Sequence, residues 1–161
     1  MTKPIDWRSS SFDDLRAFPD DAKRNAGYQL RKVQKGEQPD VFKPVQMKSR
    51  LPNADLGSRH RTPANGNVFA DLGFAPEEAK ALLRDADRRI AQAQRMKENA
   101  ATAIGEWIEA RKLTQVAASE ILAVSRPRVS DLVNLKLERF SLDMLVGMLL
   151  RAGKKVELVV R

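Results

Sequence analysis

Arg126, Arg128, Ser130 and Asp131 fall within one short run of the stretch LTQVAASEILAVSRPRVSDLV (Leu113–Val133). Two guanidiniums beside a hydroxyl and a carboxylate suit recognition of a polar, anionic partner. A helix entering the DNA major groove presents its N-terminal side chains to base edges, and arginine is the commonest specific reader there, through paired hydrogen bonds to guanine. The bland reading of the same residues is a helical hairpin with a solvated, charged face.

Those side chains need two helices to hold them. With Gln115 as the first residue of a helix-turn-helix frame, Ser119 falls where the helices cross closely and Ala123 falls in the turn. Val129 and Leu132 anchor the second helix, and Ile121, Leu122 and Val124 complete the buried side. Thr114 and Ser125 are each placed to cap a helix start. Pro127 sits in the first turn of its helix, where a missing N–H is harmless.

The stretch resembles the XRE class of helix-turn-helix regulators, carried by Leu113-Thr114-Gln115, Ala118-Ser119, Ala123-Val124-Ser125, Val129 and Leu132. The resemblance implies a lambda-repressor-like domain that binds double-stranded DNA through Thr114, Gln115, Ser125, Arg126, Pro127, Arg128, Ser130 and Asp131. Gln115 would clamp phosphate or orient the reading residues. Arg126 would read a base, Arg128 would hold phosphate or the neighbouring step, and Ser130 and Asp131 would tune the fit. Ala123 stands where the class usually has a glycine at positive φ, a difference worth about 1 kcal/mol.

Composition points the same way. The 161 residues allow one domain, or one small domain with appendages. Apolar residues make up 42% but aromatics only 6%, as in helical proteins built on Ala, Leu and Val. The net charge of +8, with an isoelectric point near 10, favours a polyanionic partner, nucleic acid before membrane. No apolar run is long enough to span a bilayer, and Met1–Asp14 lacks a signal core, so a cytoplasmic address is expected. There is no cysteine for thiolate chemistry, and His60 is the only histidine, which argues against a histidine-rich metal site and most acid–base mechanisms. No cofactor and no catalytic residue is expected.

Along the chain, Ser11 is placed to cap a short turn through Arg16, and Pro19 to open a second helix at its first position. Ala22, Ala26, Leu30 and Val33 recur at helical spacing and end before Gly36. Such a fragment is too small to bury that stripe unaided. The segment resembles the N-terminal part of HigB/RelE-type toxins through Ile5-Asp6-Trp7, Asp14-Leu15, Phe18-Pro19, Gly27-Tyr28-Gln29-Leu30, Val33-Gln34 and Gly36. The pattern stops after Val41-Phe42-Lys43-Pro44, before the sheet and basic cluster that the toxins use for catalysis, so residues 1–42 read as a truncated, inactive toxin-like segment.

Residues 43–66 read as a basic flexible linker, either a phosphate-tracking arm or merely solvated. Asn67–Phe74 is an apolar knot resembling the segment that precedes the helical domain of HigA-type antitoxins. Its Val68, Phe69, Leu72 and Phe74 would dock on the helix-turn-helix core or lie on a toxin.

Pro76 opens the longest helical stretch, with Ala79, Leu83, Ala86, Ile90 and Ala93 as an alanine-rich seam interrupted at Lys97, and with Gly105 and residues 99–102 as places to bend. That seam serves a second copy or the domain's own core, whereas Ile104, Trp107 and Ile108 read as core. Ser141 caps a last helix that Gly153 stops. Val156, Leu158 and Val160 alternate as a short C-terminal strand that would pair with its copy in a homodimer or, alternatively, form a hairpin with N-terminal residues. Phe140-Ser141-Leu142 and this strand also resemble the HigA-type pattern, which thus covers roughly Asn67–Val160.

The expected fold is therefore mainly α: residues 67–161 as a lambda-repressor-like helix-turn-helix domain with a short C-terminal strand. The expected function is an antitoxin-type repressor that binds its operator, with a HigB/RelE-type toxin as partner. The alternatives are a module that neutralises the toxin without touching DNA and, less favoured, a ribonuclease.

Overall fold

The structure is a computed structural model that describes residues 2–40 and 58–157, with the backbone alone at Ser58 and Arg59. It is mainly helical with one two-stranded sheet. Two compact units, Met1–Ile90 and Ala91–Arg161, divide within the longest helix.

The first unit holds β1 (Ile5–Arg8), α1 (Ser11–Arg16), α2 (Asp20–Gln34), β2 (Ser58–Thr62), α3 (Val68–Asp71) and the beginning of α4 (Pro76–Ala110). A lone strand cannot satisfy its own backbone, and β1 solves this by pairing antiparallel with β2, Ile5 opposite Thr62 and Trp7 opposite His60, with a shift of register after Trp7. The expectation of a structureless linker over 43–66 is corrected at Ser58–Thr62, which form a strand, while residues 63–66 follow it as a turn closed by the Gly66 N–H on the Pro63 carbonyl; residues 43–57 lie outside the described residues. SRHRT has no apolar residue, so periodicity could not reveal it. Hydrogen bonds and ring contacts hold its inner side instead. Trp7 Nε1 donates to Thr62 Oγ1 at 2.9 Å, and the Thr62 hydroxyl donates to the Asp71 carboxylate. His60 stacks on Phe12 with ring centroids 4.1 Å apart, its Nε2 being 3.3 Å from Asp71 Oδ2.

Helix α1 forms as expected but without the expected cap. The Ser11 hydroxyl accepts from the Arg8 N–H, while Ser10 Oγ donates to Asp14. Helix α2 begins one residue after Pro19, carries Asp20 and Asp21 in its first turn, and ends where Gly36 takes φ +84°. Its buried face is rotated from the apolar stripe. Ala22 and Val33 are exposed, whereas Gly27, Arg31 and Gln34 point inward. Two contacts turn the helix. Gly27 admits the Phe69 ring so closely that a Cβ there would stand 2.5 Å from Phe69 Cε1. Arg31 meets Asp87 of α4 through a paired hydrogen bond.

The knot Asn67–Phe74 is a cap and a short helix, with the Asn67 side chain accepting from the Phe69 N–H at 3.0 Å. Val68, Phe69, Leu72 and Phe74 pack with Trp7, Ala79 and Ala86. The expectation that they dock on the helix-turn-helix core is thereby corrected: they supply the aromatic and branched bulk that the first unit needs.

The second unit contains the remainder of α4, then α5 (Gln115–Leu122), α6 (Arg126–Val133), a 3₁₀ turn at Leu137–Arg139 and α7 (Leu142–Arg151). Ile104, Trp107 and Ile108 enter its core with Leu122, Leu132 and Leu145. Helix α4 runs unbroken through residues 99–102 and Gly105. Its seam does break: no residue between Ala91 and Asn99 is buried. Ala79 and Ala86 are covered inside the first unit, which removes them from a free dimer seam. Ser141 caps α7 by accepting from the Met144 N–H at 3.1 Å, and Gly153 ends it at φ +75°. Val156 and Glu157 are not in a strand, and Leu158–Val160 lie outside the described residues. Among the described residues, the sheet joins the N-terminal segment to Ser58–Thr62.

Candidate nucleic-acid interface

Thr114 starts α5 as read from sequence, its side chain accepting from the Ala117 N–H at 3.2 Å. Ser125 occupies the corresponding position before α6 but makes no capping bond. Between the helices, Ala123 takes φ 53°, ψ 47°, with its N–H on the Glu120 carbonyl and the Val124 N–H on that of Ser119. This is the turn that glycine usually makes. The same closure ends α4 at Lys112 and α6 at Leu135, both with positive φ. Each of these three residues carries a side chain into a backbone region that costs it about 1 kcal/mol.

The anchors are where the frame requires them: Ala118, Leu122, Val129 and Leu132 are fully buried. Two details differ. Ala118 is the buried small residue, whereas Ser119 turns its hydroxyl back onto the Val116 carbonyl at 2.7 Å. Ile121, expected in the core, is 40% exposed because α5 points Ala118 and Leu122 inward and Ile121 lies about 100° from Leu122.

On α6, successive residues turn by about 100°, so Pro127, Ser130, Asp131 and Asn134 form the ridge opposite Val129 and Leu132. Arg126 stands at the first helical position and is exposed, as is Gln115 at the start of α5. Ser130 and Asp131 are half-buried. Asn134, which the sequence frame did not single out, donates from Nδ2 to the Ser130 carbonyl at 2.7 Å. Arg128 is on the flank. Its Nη1 donates to the Arg139 carbonyl at 2.6 Å and its Cζ stands 5.2 Å from the Phe140 ring centroid. The arrangement offers one unengaged arginine and a small polar ridge to a groove, with Pro127 fixing the first turn between them.

Residues 68–161 match the family described as helix-turn-helix domain. The match covers more than half of the chain, which belongs to that family. Among solved structures, the chain is similar to one assigned as an XRE family transcriptional regulator, at 37% sequence identity over 44% of this chain and 80% of that one, with a TM-score of 0.43. No curated protein gives a match. No helix among the described residues is long and apolar enough to cross a membrane.

Proposed function

We propose that this chain is a sequence-specific DNA-binding transcriptional regulator of XRE type that works as an antitoxin-like repressor. The observation that carries it is the pairing of α5 and α6 across the left-handed turn at Ala123, which sets exposed Arg126 in the first turn of a helix whose opposite side is anchored by Val129 and Leu132. That is the geometry by which such helices enter the major groove. The net charge of +8 supplies the attraction to phosphate. The protein acts as a homodimer, because two recognition helices on half-sites about one DNA turn apart gain affinity together. Thr114, Gln115, Ser125, Arg126, Pro127, Ser130 and Asp131 form the contact surface.

The antitoxin part of the proposal rests on the sequence resemblance of Asn67–Val160 to HigA-type proteins and of Ile5–Pro44 to a toxin remnant. The remnant serves here as packing: β1 and α2 complete the core that β2 and α3 need. Selection from a randomised duplex pool tests the DNA reading. It should enrich a two-fold symmetric sequence bound more tightly as salt is lowered. No enrichment, together with salt-independent binding, would refute it. Co-purification with a HigB/RelE-type toxin tests the antitoxin part separately.

A further inference from the structure

Helix α7 is fastened to both helices of the helix-turn-helix by arginines that bond backbone carbonyls. In the 3₁₀ turn that leads into it, the Arg139 carbonyl accepts from Nη1 of Arg128 of α6, whose Cζ stands 5.2 Å from the ring centroid of Phe140, a residue only 2% exposed. At its end, Arg151 donates from Nη1 to the Leu122 carbonyl at 3.2 Å. That carbonyl is one of the last in α5, a position left without an intrahelical partner. The two bonds attach to different helices, one on each side of the Ala123 turn, and Leu145, Met148 and Leu149 of α7 are buried in the core beneath them.

We propose that Arg128 and Arg151 are positioning residues: they make α7 a splint that holds α6 at its reading angle, and Arg128 spends its charge inside the fold rather than on phosphate. This rests on the DNA-binding reading above. It follows from where the guanidinium already is. With its guanidinium carbon 5.2 Å from the centroid of a buried ring and an Nη1 N–H on a backbone carbonyl, Arg128 gives up those contacts if it swings out to follow a phosphate strand. Its place on the flank of α6, away from the ridge of Pro127 and Ser130, also points it at the connector before α7. Arg126 has no such engagement and remains the reader.

The consequence is that losing the splint blurs discrimination without removing a charge contact from DNA. A phosphate-contacting arginine, when lost, weakens all sequences alike and makes the salt dependence shallower by about one unit of slope. A positioning arginine, when lost, lowers affinity for the right sequence and leaves the slope alone.

The test uses the full chain with two probes: the duplex enriched from a randomised pool, and a scrambled duplex of the same composition. For Arg128→Ala the enriched duplex should bind about tenfold more weakly, the scrambled duplex as before, and the salt slope should equal that of the unaltered chain. Arg151→Ala, which lies outside the DNA surface, should show the same pattern, and it keeps the proposal testable where Arg128→Ala unfolds the domain. Arg126→Ala is the contrasting control. A loss that is equal on both duplexes with a slope shallower by about one for Arg128→Ala, or an unchanged preference for the enriched duplex in Arg151→Ala, overturns the splint while DNA binding stands. If the unaltered chain enriches no duplex at all, the DNA-binding reading itself fails.

Discussion

The guanidinium of Arg31 lies alongside the carboxylate of Asp87, Nε to Oδ1 at 2.8 Å and Nη2 to Oδ2 at 3.0 Å. Arg31 also donates from Nη1 to Gln34 Oε1, and Gln34 Nε2 donates to the Pro63 carbonyl, so one polar chain runs from α4 through α2 to the residues after β2. Arg31 and Gln34 are both buried. A buried guanidinium is tolerated only when paired and bonded, and this network is why α2 turns its polar residues inward.

Asp87→Asn should therefore cost the first unit about 2 kcal/mol, because the guanidinium keeps a partner but loses a charge-assisted one. Amide exchange across α2 measures it: opening should become easier at Ala26–Val33 while α5 and α6 are unaffected. Equal protection in both proteins would show the pair to be inconsequential.

Acid should act on the same contact. Burial pushes the Asp87 carboxyl up, but the hydrogen bonds and charge of Arg31, with Lys35 beside them, more than offset this and hold it below its ordinary value. Hydrogen bonds from Lys32 and Gln29 lower Asp40 likewise. A carboxyl whose folded value is depressed stabilises the fold fully above its unfolded value, near 3.9, and loses that contribution as pH falls beneath it. Protection of α2 amides should hold from neutrality to about pH 5 and fall progressively below about pH 4, and Asp87→Asn should flatten that fall. An identical acid profile in the two proteins would rule out Asp87 as the source.

Gly27 and Phe69 give a steric counterpart. A methyl group at position 27 would stand 2.5 Å from Phe69 Cε1 and 2.7 Å from Cδ1, and the ring is itself buried against its neighbours. Gly27→Ala removes a helix-weakening glycine, yet overpacking should win, with a net loss of about 1–3 kcal/mol. A melting temperature at or above that of the unaltered chain would mean that the ring shifts freely.

How much of this was legible in the sequence depended on what held each element. The helix-turn-helix could be read because its buried positions are apolar and periodic: Leu122, Val129 and Leu132 sit in the core as spaced, and Thr114 caps as its type suggests. Ile121 was misplaced because an apolar residue at the edge of a short helix looks the same from sequence whether it faces core or solvent. The first unit was largely illegible. Its inward-facing residues include Arg31, Gln34 and Thr62, whose burial depends on partners far along the chain, and strand β2 has no apolar residue to announce it. Likewise the bond from Arg128 to the Arg139 carbonyl could not be read from spacing, because any residue at position 139 would supply that partner. Distant pairings of that kind leave no spacing to count.

Ala123 offers a prediction of opposite sign. It holds φ 53° without being glycine, and it is exposed, so little packing is lost with the methyl group that strains it. Ala123→Gly should stabilise the second unit by about 1 kcal/mol. Exchange protection in α5 should rise by a corresponding factor. A loss of protection would mean that the freedom glycine gains in the unfolded chain outweighs the relieved strain.

The reading helix is decided by Arg126. It is exposed in the first turn of α6, follows Ser125, and precedes Pro127, whose fixed φ keeps that turn preformed. If it pairs with a guanine edge, Arg126→Ala should cost about 1–3 kcal/mol on the enriched duplex and relax preference at one base pair in each half-site. Arg126→Lys should recover part of the affinity but little of the preference, since a point charge cannot make the paired bond. Repeating the pool selection with each variant reads out both effects. Unchanged preference at every position, with the whole loss appearing as a shallower salt slope, would place Arg126 on the phosphate backbone and hand base reading to Ser130 and Asn134 on the ridge.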